Sequence, residues 1–221
     1  MTNTPRLSEI QKAATLHKMV PPDHYARSIR ASFLHRFWHT KRFEEIGKMV
    51  ESNGDKILDI GSSDGTFTKV IVEKSKASKV VGIDVLQKCV SYAKRRFARN
   101  KVVSFLVADA HDLPYPQRTF DAVFCLETLE HVEDPGRVAQ EMHRVLKEDG
   151  YAVVLVPNEN VLFRLGWALW LLGPGKIWKG THIQDLSASE ITTILKNAGF
   201  RIKETKRFML GMLQAVKVVK K

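Results

Sequence analysis

Five short runs in the middle of the chain, 56–60, 79–83, 102–107, 120–126 and 152–156, are apolar almost throughout rather than alternately. Strands of that kind belong to a sheet buried on both faces. Between them, 66–74, 87–99 and 135–147 carry apolar residues at helical spacing. Strand and helix in alternation predict an α/β fold: a doubly wound, mostly parallel sheet with right-handed crossovers and helices on both faces. Ahead of this unit Ile29, Phe33, Phe37, Ile46 and Met49 recur at helical intervals between Pro21-Pro22 and Asn53-Gly54. They predict one long helix or two shorter ones within an N-terminal helical cap, 1–53. Beyond Pro157 an apolar stretch interrupts the rhythm, which resumes with a helix over 187–197. That helix opens on Ser187-Ala-Ser-Glu190, a capping-box pattern, and closes at Gly199. Runs at 200–205 and 212–219 complete seven strands in a domain over 54–221, with an apolar lid insertion over 158–184 after the fifth strand.

At 221 residues, 44% hydrophobic and 27% charged, the chain is long enough for a substantial core and excludes a disordered or collagen-like class. Cys89 and Cys125 are too few for a disulfide framework and sit in apolar surroundings, which predicts a reducing compartment. Residues 1–5 carry no basic region leading into an apolar segment, so a cytoplasmic protein is expected. The net charge of +11 raises the question of nucleic acid. Its distribution argues against that partner: residues 1–50 hold nine basic and four acidic side chains, 196–221 hold eight and one, and the middle holds 18 and 19. The strand-bearing body is close to neutral, and lysines on an exposed strand and tail serve solubility and discourage edge pairing.

Ligands of a parallel α/β sheet bind beyond the carboxyl ends of its strands. The first strand ends in Ile57-Leu-Asp-Ile-Gly-Ser-Ser-Asp-Gly-Thr-Phe67. Gly61 and Gly65 allow backbone conformations closed to other residues, and the helix that begins near Asp64 directs N–H groups toward the same space. A phosphate loop would need Gly-Lys-Ser/Thr, and a dinucleotide loop Gly-x-Gly-x-x-Gly; neither is present. Asp59 beside anion-binding amides suits a zwitterion such as the amino-acid end of S-adenosylmethionine. Asp84 ends the second strand, where an acid can accept hydrogen bonds from ribose hydroxyls, and Val85 can pack on adenine. Asp109 and Ala110 follow the third strand, placed for the adenine amine and ring edge.

Taken in order, 57–67, 81–86, 107–116, 119–129, Glu130-His-Val-Glu-Asp-Pro135 and Arg144-Val-Leu-Lys-Glu-Asp-Gly150 resemble the class I S-adenosylmethionine-dependent methyltransferases. The likeness is greatest to the branch that includes ubiquinone and menaquinone biosynthesis methyltransferases. The resemblance implies a Rossmann-like fold, S-adenosyl-L-methionine as cofactor and methyl transfer to a small acceptor. It places Asp59, Gly61, Ser62, Ser63 and Gly65 in the cofactor loop, where Ser63 replaces the family's middle glycine. It assigns Asp84 to the ribose, Asp109 and Ala110 to the adenine, and Leu126 and Glu127 to the edge where cofactor and acceptor meet. Tyr25 matches loosely an aromatic laid over the cofactor.

His131, in Glu127-x-x-Glu130-His131, and His182, before the last helix, are the candidate general bases. The His-Glu-x-x-His zinc pattern is absent, so no metal is implied. The stretch 161–178 contains Trp167, Trp170 and Trp178 with flanking Arg164, Lys176 and Lys179. Its uncharged part is far short of the ~20 residues of a spanning helix. Two readings stand, a lid over the pocket or a peripheral membrane contact. Either implies a partly apolar acceptor, quinone-like or lipid-like. Set against these readings are a nucleic-acid methyltransferase and a non-catalytic, membrane-associated adaptor.

Overall fold

The computed structural model describes residue 17, residues 20–52, 55–158 and 186–221, and positions 163, 164, 168, 170, 172 and 183. Its frame is a seven-stranded sheet in the order β3-β2-β1-β4-β5-β7-β6. The strands are β1 (Lys56–Ile60), β2 (Lys79–Asp84), β3 (Val103–Val107), β4 (Phe120–Leu126), β5 (Leu146–Pro157), β6 (Phe200–Phe208) and β7 (Leu213–Lys220). All neighbours pair parallel except at β7, which runs antiparallel to both β5 and β6. The fold class is the one the pattern predicts.

The central strands β1, β2, β4 and β5 lack alternation because both their faces are buried, whereas the edge strand β6 is largely exposed. Leu58, Ile60, Val123 and Cys125 point into one core, closed by α5 (Pro135–Val145) through Val138 and Met142 and by α6 (Ala188–Asn197) through Ile191 and Leu195. Ile57, Ala122 and Phe124 point into the other, closed by α2 (Phe33–Met49) through Ile46 and Met49 and by α3 (Thr66–Ser75) through Phe67 and Ile71. The helix α4 (Gln87–Arg96) packs Val90 and Ala93 on Phe105 of β3. The capping box at Ser187 and Glu190 is formed, and Asp134 caps α5 by accepting from the Arg137 N–H.

Element ends differ from the pattern in places. The N-terminal apolar spacing resolves into two helices, α1 (His24–Ala31) and α2, because Ser32 is fully extended and its side chain accepts from the His35 N–H. The helix expected to reach 147 stops at Val145, since Leu146 already pairs with Phe120. β5 therefore starts six residues before the apolar run suggested, with a register irregularity between Phe120 and Ala122. The expected helix over 87–99 ends at Arg96, and Asn100 turns the chain by accepting from the Val102 N–H.

Strand order reverses between β1 and β4, with β2 and β3 on one side and β5 on the other. The carboxyl ends of β1, β2, β3 and β4 open there onto one pocket, roofed by α1 through Tyr25. The expected lid falls almost wholly outside the described residues. Among the described residues no helix is long and apolar enough to cross a membrane.

Candidate functional site

The loop after β1 forms the pocket floor. Gly61 has φ +72°, and a Cβ placed there would stand 2.1 Å from Thr128 Oγ1, so only glycine lets the β1 and β4 ends approach this closely. Gly65 has φ +78°, and a Cβ there would meet Phe97 at 2.7 Å. Ser63 takes φ +46° without being glycine. The loop's amides are largely engaged: Ser62 N–H donates to Ile83 O (2.9 Å) and Ser63 N–H to Asp84 Oδ2 (2.9 Å). Gly65 N–H donates to Ser62 O (2.8 Å) and Thr66 N–H to Asp64 Oδ1 (2.9 Å). The start of α3, read as a place for an anion, thus already faces the chain's own carboxylate. Asp64 is fully buried, accepts from the Ala26 N–H of α1 at 3.1 Å and lies 3.4 Å from Arg96.

Asp59 sits beneath this loop. It is buried, accepts from Thr68 Oγ1 at 2.6 Å and does not line the pocket. Burial, with the nearby Asp84 charge, pushes its carboxyl up to about 7. Asp84 does line the pocket; besides Ser63 it receives the Leu86 N–H at 2.8 Å, and burial raises its pKa. Val85, Leu86 and Ala108 form an apolar wall between Asp84 and Asp109.

Asp109 Oδ1 accepts the His111 N–H at 2.9 Å and lies 2.7 Å from His111 Nδ1. The other ring nitrogen, Nε2, accepts from the Asp134 N–H at 3.3 Å. His111 is therefore the Nδ1–H tautomer, donating to Asp109 and fixing its rotamer.

The opposite wall is built by Glu127, Thr128 and His131. Glu127 follows β4 with φ +53°, a conformation costly for a side chain of its size. Two cap residues hold it: Arg42 of α2 pairs with both carboxylate oxygens, and Tyr25 Oη donates to Oε2 at 3.1 Å. The Arg42 guanidinium lies 5.6 Å from the ring centroids of both Tyr25 and Phe67 and also bonds His39. The Arg42–Glu127 pair is almost fully buried, with side chains 5% and 9% exposed. Burial and the adjacent Arg42 depress His39 to about 2, so the ring stays neutral beside the cation. Burial raises the Tyr25 phenol well above its ordinary value and keeps it a donor.

His131 closes a short 3₁₀ turn, Leu129–His131, at the pocket edge, where its ring meets that of His17 edge-on at 5.1 Å. Of the residues singled out by sequence, Tyr25, Gly61, Ser63, Asp84, Val85, Asp109, Ala110, Glu127 and His131 face one pocket. Asp59, Ser62, Gly65 and Leu126 are buried and do not line it. His182 lies outside the described residues, as do Trp167 and Trp178. Among the described residues no cluster of three His, Cys, Asp or Glu could hold a metal.

Sequence reading missed His17, His111, Thr128, Arg42 and Asp64. His111, two residues after Asp109, could have been found as its orienting partner; for Arg42 nothing local distinguishes it from a solvated basic residue. Cys89, read as a core cysteine, also lines the pocket, but burial pushes its thiol up to about 12, which leaves it unreactive.

A flat apolar slot with a carboxylate at each end suits a ligand rich in hydroxyl and amine donors, and repels phosphate. The comparisons agree with that chemistry. A methyltransferase domain family matches residues 58–154. A demethylmenaquinone methyltransferase of Thermotoga maritima is 33% identical, over 73% of this chain and 76% of its own length. A ubiquinone/menaquinone biosynthesis C-methyltransferase, UbiE, of Desulfotalea psychrophila is 27% identical over 76% and 74%. The structure of a SAM-dependent methyltransferase from Aquifex aeolicus superposes with a TM-score of 0.63 at 22% identity, covering 80% of this chain and 88% of that one. The sheet order, the glycine-floored pocket at its switch point and these relatives together place the chain among the class I S-adenosylmethionine-dependent methyltransferases, beside the quinone-biosynthesis branch.

Proposed function

We propose that this enzyme methylates a small, partly apolar acceptor of quinone-like or lipid-like character, and that the pocket between Asp84 and Glu127 is where cofactor and acceptor meet. The observation that carries the reading is the two-sided pocket. One half is an apolar slot ended by Asp84 and Asp109, and the other is a wall of Tyr25, Glu127, Thr128 and His131 with Ile183 beside it. In this assignment Asp84 accepts from the ribose hydroxyls while its bonds to the Ser63 and Leu86 amides hold it still. Asp109, oriented by His111, accepts from the adenine amine, and Val85 packs on the ring. The close approach of Gly61 to Thr128 leaves the floor without a side chain, so a ligand can lie against main chain.

Bound S-adenosyl-L-methionine supplies a methyl group already activated on a sulfonium, so the protein's part is alignment and exclusion of water. Tyr25 and Glu127, locked by Arg42, set the acceptor-side wall. In this assignment His131, which lines the pocket, takes the proton from an acceptor hydroxyl or carbon acid. In this reading the cap reaches the acceptor side through Tyr25, and His182 and the tryptophans of 161–178 are the further candidates that the sequence offers for it. The relatives named for quinone substrates support the acceptor class.

The test is calorimetry with S-adenosyl-L-methionine, followed by methyl-transfer assays on a demethylmenaquinone-type quinol and on a water-soluble catechol. Asp84→Asn is expected to lower cofactor affinity roughly 10- to 100-fold, the worth of a charge-assisted hydrogen bond of about 1.5–3 kcal/mol. Unchanged affinity in Asp84→Asn removes the cofactor assignment of that residue. Methylation of the catechol but not the quinol removes the apolar acceptor.

A further inference from the structure

Apolar side chains on a surface helix normally face inward. At the start of α2 they face out. The inner face of α2 carries His39, Arg42, Ile46 and Met49, all buried. Phe33 and Leu34 are 74% and 73% exposed, and Phe37, one turn on from Phe33, is 44% exposed. These three follow directly on the extended Ser32, so they project from the corner where α1 turns into α2.

The corner is also cationic. Residues 24–43 hold Arg27, Arg30, Arg36, Lys41 and Arg42 and no acidic residue. Arg42 is consumed in its buried pair with Glu127; Arg27 pairs with Asp23 at 2.6 Å and Lys41 with Glu44 at 2.7 Å. Arg30 and Arg36, both exposed, have no carboxylate partner among the described residues. They flank Phe33 and Leu34 in sequence, Arg30 in the last turn of α1 and Arg36 one turn on from Phe33 in α2. Cations flanking exposed aromatic and aliphatic side chains on a helix match the layered chemistry of an anionic lipid surface, headgroup phosphate outside and acyl chain beneath.

We propose that the α1–α2 corner is a docking surface for an anionic lipid bilayer, with Phe33, Leu34 and Phe37 entering the interface and Arg30 and Arg36 on the phosphates. A second copy of the chain fits the patch less well, because a two-fold contact sets the same cations against one another. The surface is separate in sequence from the tryptophan stretch 161–178. It also has a consequence for the site: α1 carries Tyr25 into the pocket wall, so docking at its far end brings the pocket beside the bilayer. Lipid binding stands on exposure and charge alone, so failure of a quinol assay and failure of a vesicle assay are separate results.

The experiment is co-sedimentation of the full chain with vesicles of phosphatidylcholine alone and of phosphatidylcholine with phosphatidylglycerol, across a salt series. Partition is expected only into the mixed vesicles, weakening as salt rises. Arg30→Gln with Arg36→Gln is expected to lower it about 30-fold, at about 1 kcal/mol per interfacial cation. Phe33→Ser, Leu34→Ser and Phe37→Ser together are expected to abolish it while calorimetric cofactor affinity is unchanged. Should the triple variant not fold, Phe37→Cys carrying an environment-sensitive fluorophore serves instead, since Cys89 and Cys125 are buried; a blue shift on adding mixed vesicles is expected. No partition, partition retained in both variants, no blue shift, displacement by RNA with equal affinity, or a dimer in ultracentrifugation that the triple variant dissolves would each overturn the proposal.

Discussion

The loop after β1 and the turn after β4 lie side by side at the carboxyl end of the sheet, and both use left-handed backbone to shape the pocket. They secure it by opposite means. The β1 loop gives the conformation to Gly61 and Gly65, and its Ser62 and Ser63 amides are met by the end of the adjacent β2. The β4 turn gives it to Glu127, a large charged residue, and holds it through Arg42 and Tyr25, 85 and 102 residues away in sequence. One wall is fixed by backbone shape, the other by a buried ion pair that depends on the cap being docked.

The largest expected effect lies on the first wall. Gly61→Ala adds a Cβ 2.1 Å from Thr128 Oγ1 and requires φ near +72° of an alanine. The β1 and β4 ends must separate, and cofactor affinity measured by calorimetry is expected to fall beyond detection. Adding Thr128→Ala removes the two nearest clashing atoms but leaves the left-handed penalty of about 1–2 kcal/mol. Partial recovery in the double variant would locate the defect at this contact. Wild-type affinity in Gly61→Ala would show that the floor need not be bare.

The same contrast explains what was legible in the sequence. The seven strands, the switch-point pocket and the acids Asp84 and Asp109 were readable because each depends on local pattern: apolar runs, glycines, an acid at a strand end. The Arg42–Glu127–Tyr25 junction was not, because its partners come from three elements and only the folded chain brings them together. The placement of Asp59 also needed the structure. Sequence gives a carboxylate one residue short of the strand end, but the period-two alternation of a strand decides which face it takes. Here Asp59 points to Thr68 of α3 and away from the pocket surface. The cap's division at Ser32 turned on a single capping side chain within an otherwise continuous helical spacing.

Breaking the second wall should cost less in binding and more in stability. Arg42→Met leaves Glu127 buried without its cation, a change worth about 3–5 kcal/mol against folding. Urea denaturation should register that loss, and Glu127→Gln added to Arg42→Met should restore much of it, because no uncompensated charge remains. If the two single losses simply add in the double variant, the pair does not hold the cap to β4.

Asp59 offers a pH test between the walls. Its folded pKa, about 7, lies above the ordinary 3.8, so the folded state favours the protonated form. The stability this gives is full below about pH 4, is lost as pH rises toward 7, and is flat above, a span on the order of 4 kcal/mol. Asp59→Asn should erase that slope, its stability gain over wild type growing from pH 4 to 7. Saturating S-adenosyl-L-methionine should flatten the wild-type slope if the ammonium senses this carboxylate through the floor. An unchanged slope would confine Asp59 to a structural bond with Thr68.

Ser63 tests the smallest difference, whether the β1 loop contains its own version of the Glu127 solution. It is the loop's one non-glycine residue with positive φ, +46°, and its N–H is spent on Asp84. Ser63→Gly removes a left-handed penalty of about 1 kcal/mol but adds backbone freedom to the unfolded chain of similar size. Stability should therefore change by less than about 1 kcal/mol. Cofactor affinity decides the matter: a fall of about fivefold, close to 1 kcal/mol, means that the hydroxyl touches the ligand. No change means that Ser63, unlike Glu127, keeps its backbone conformation for the Asp84 bond alone.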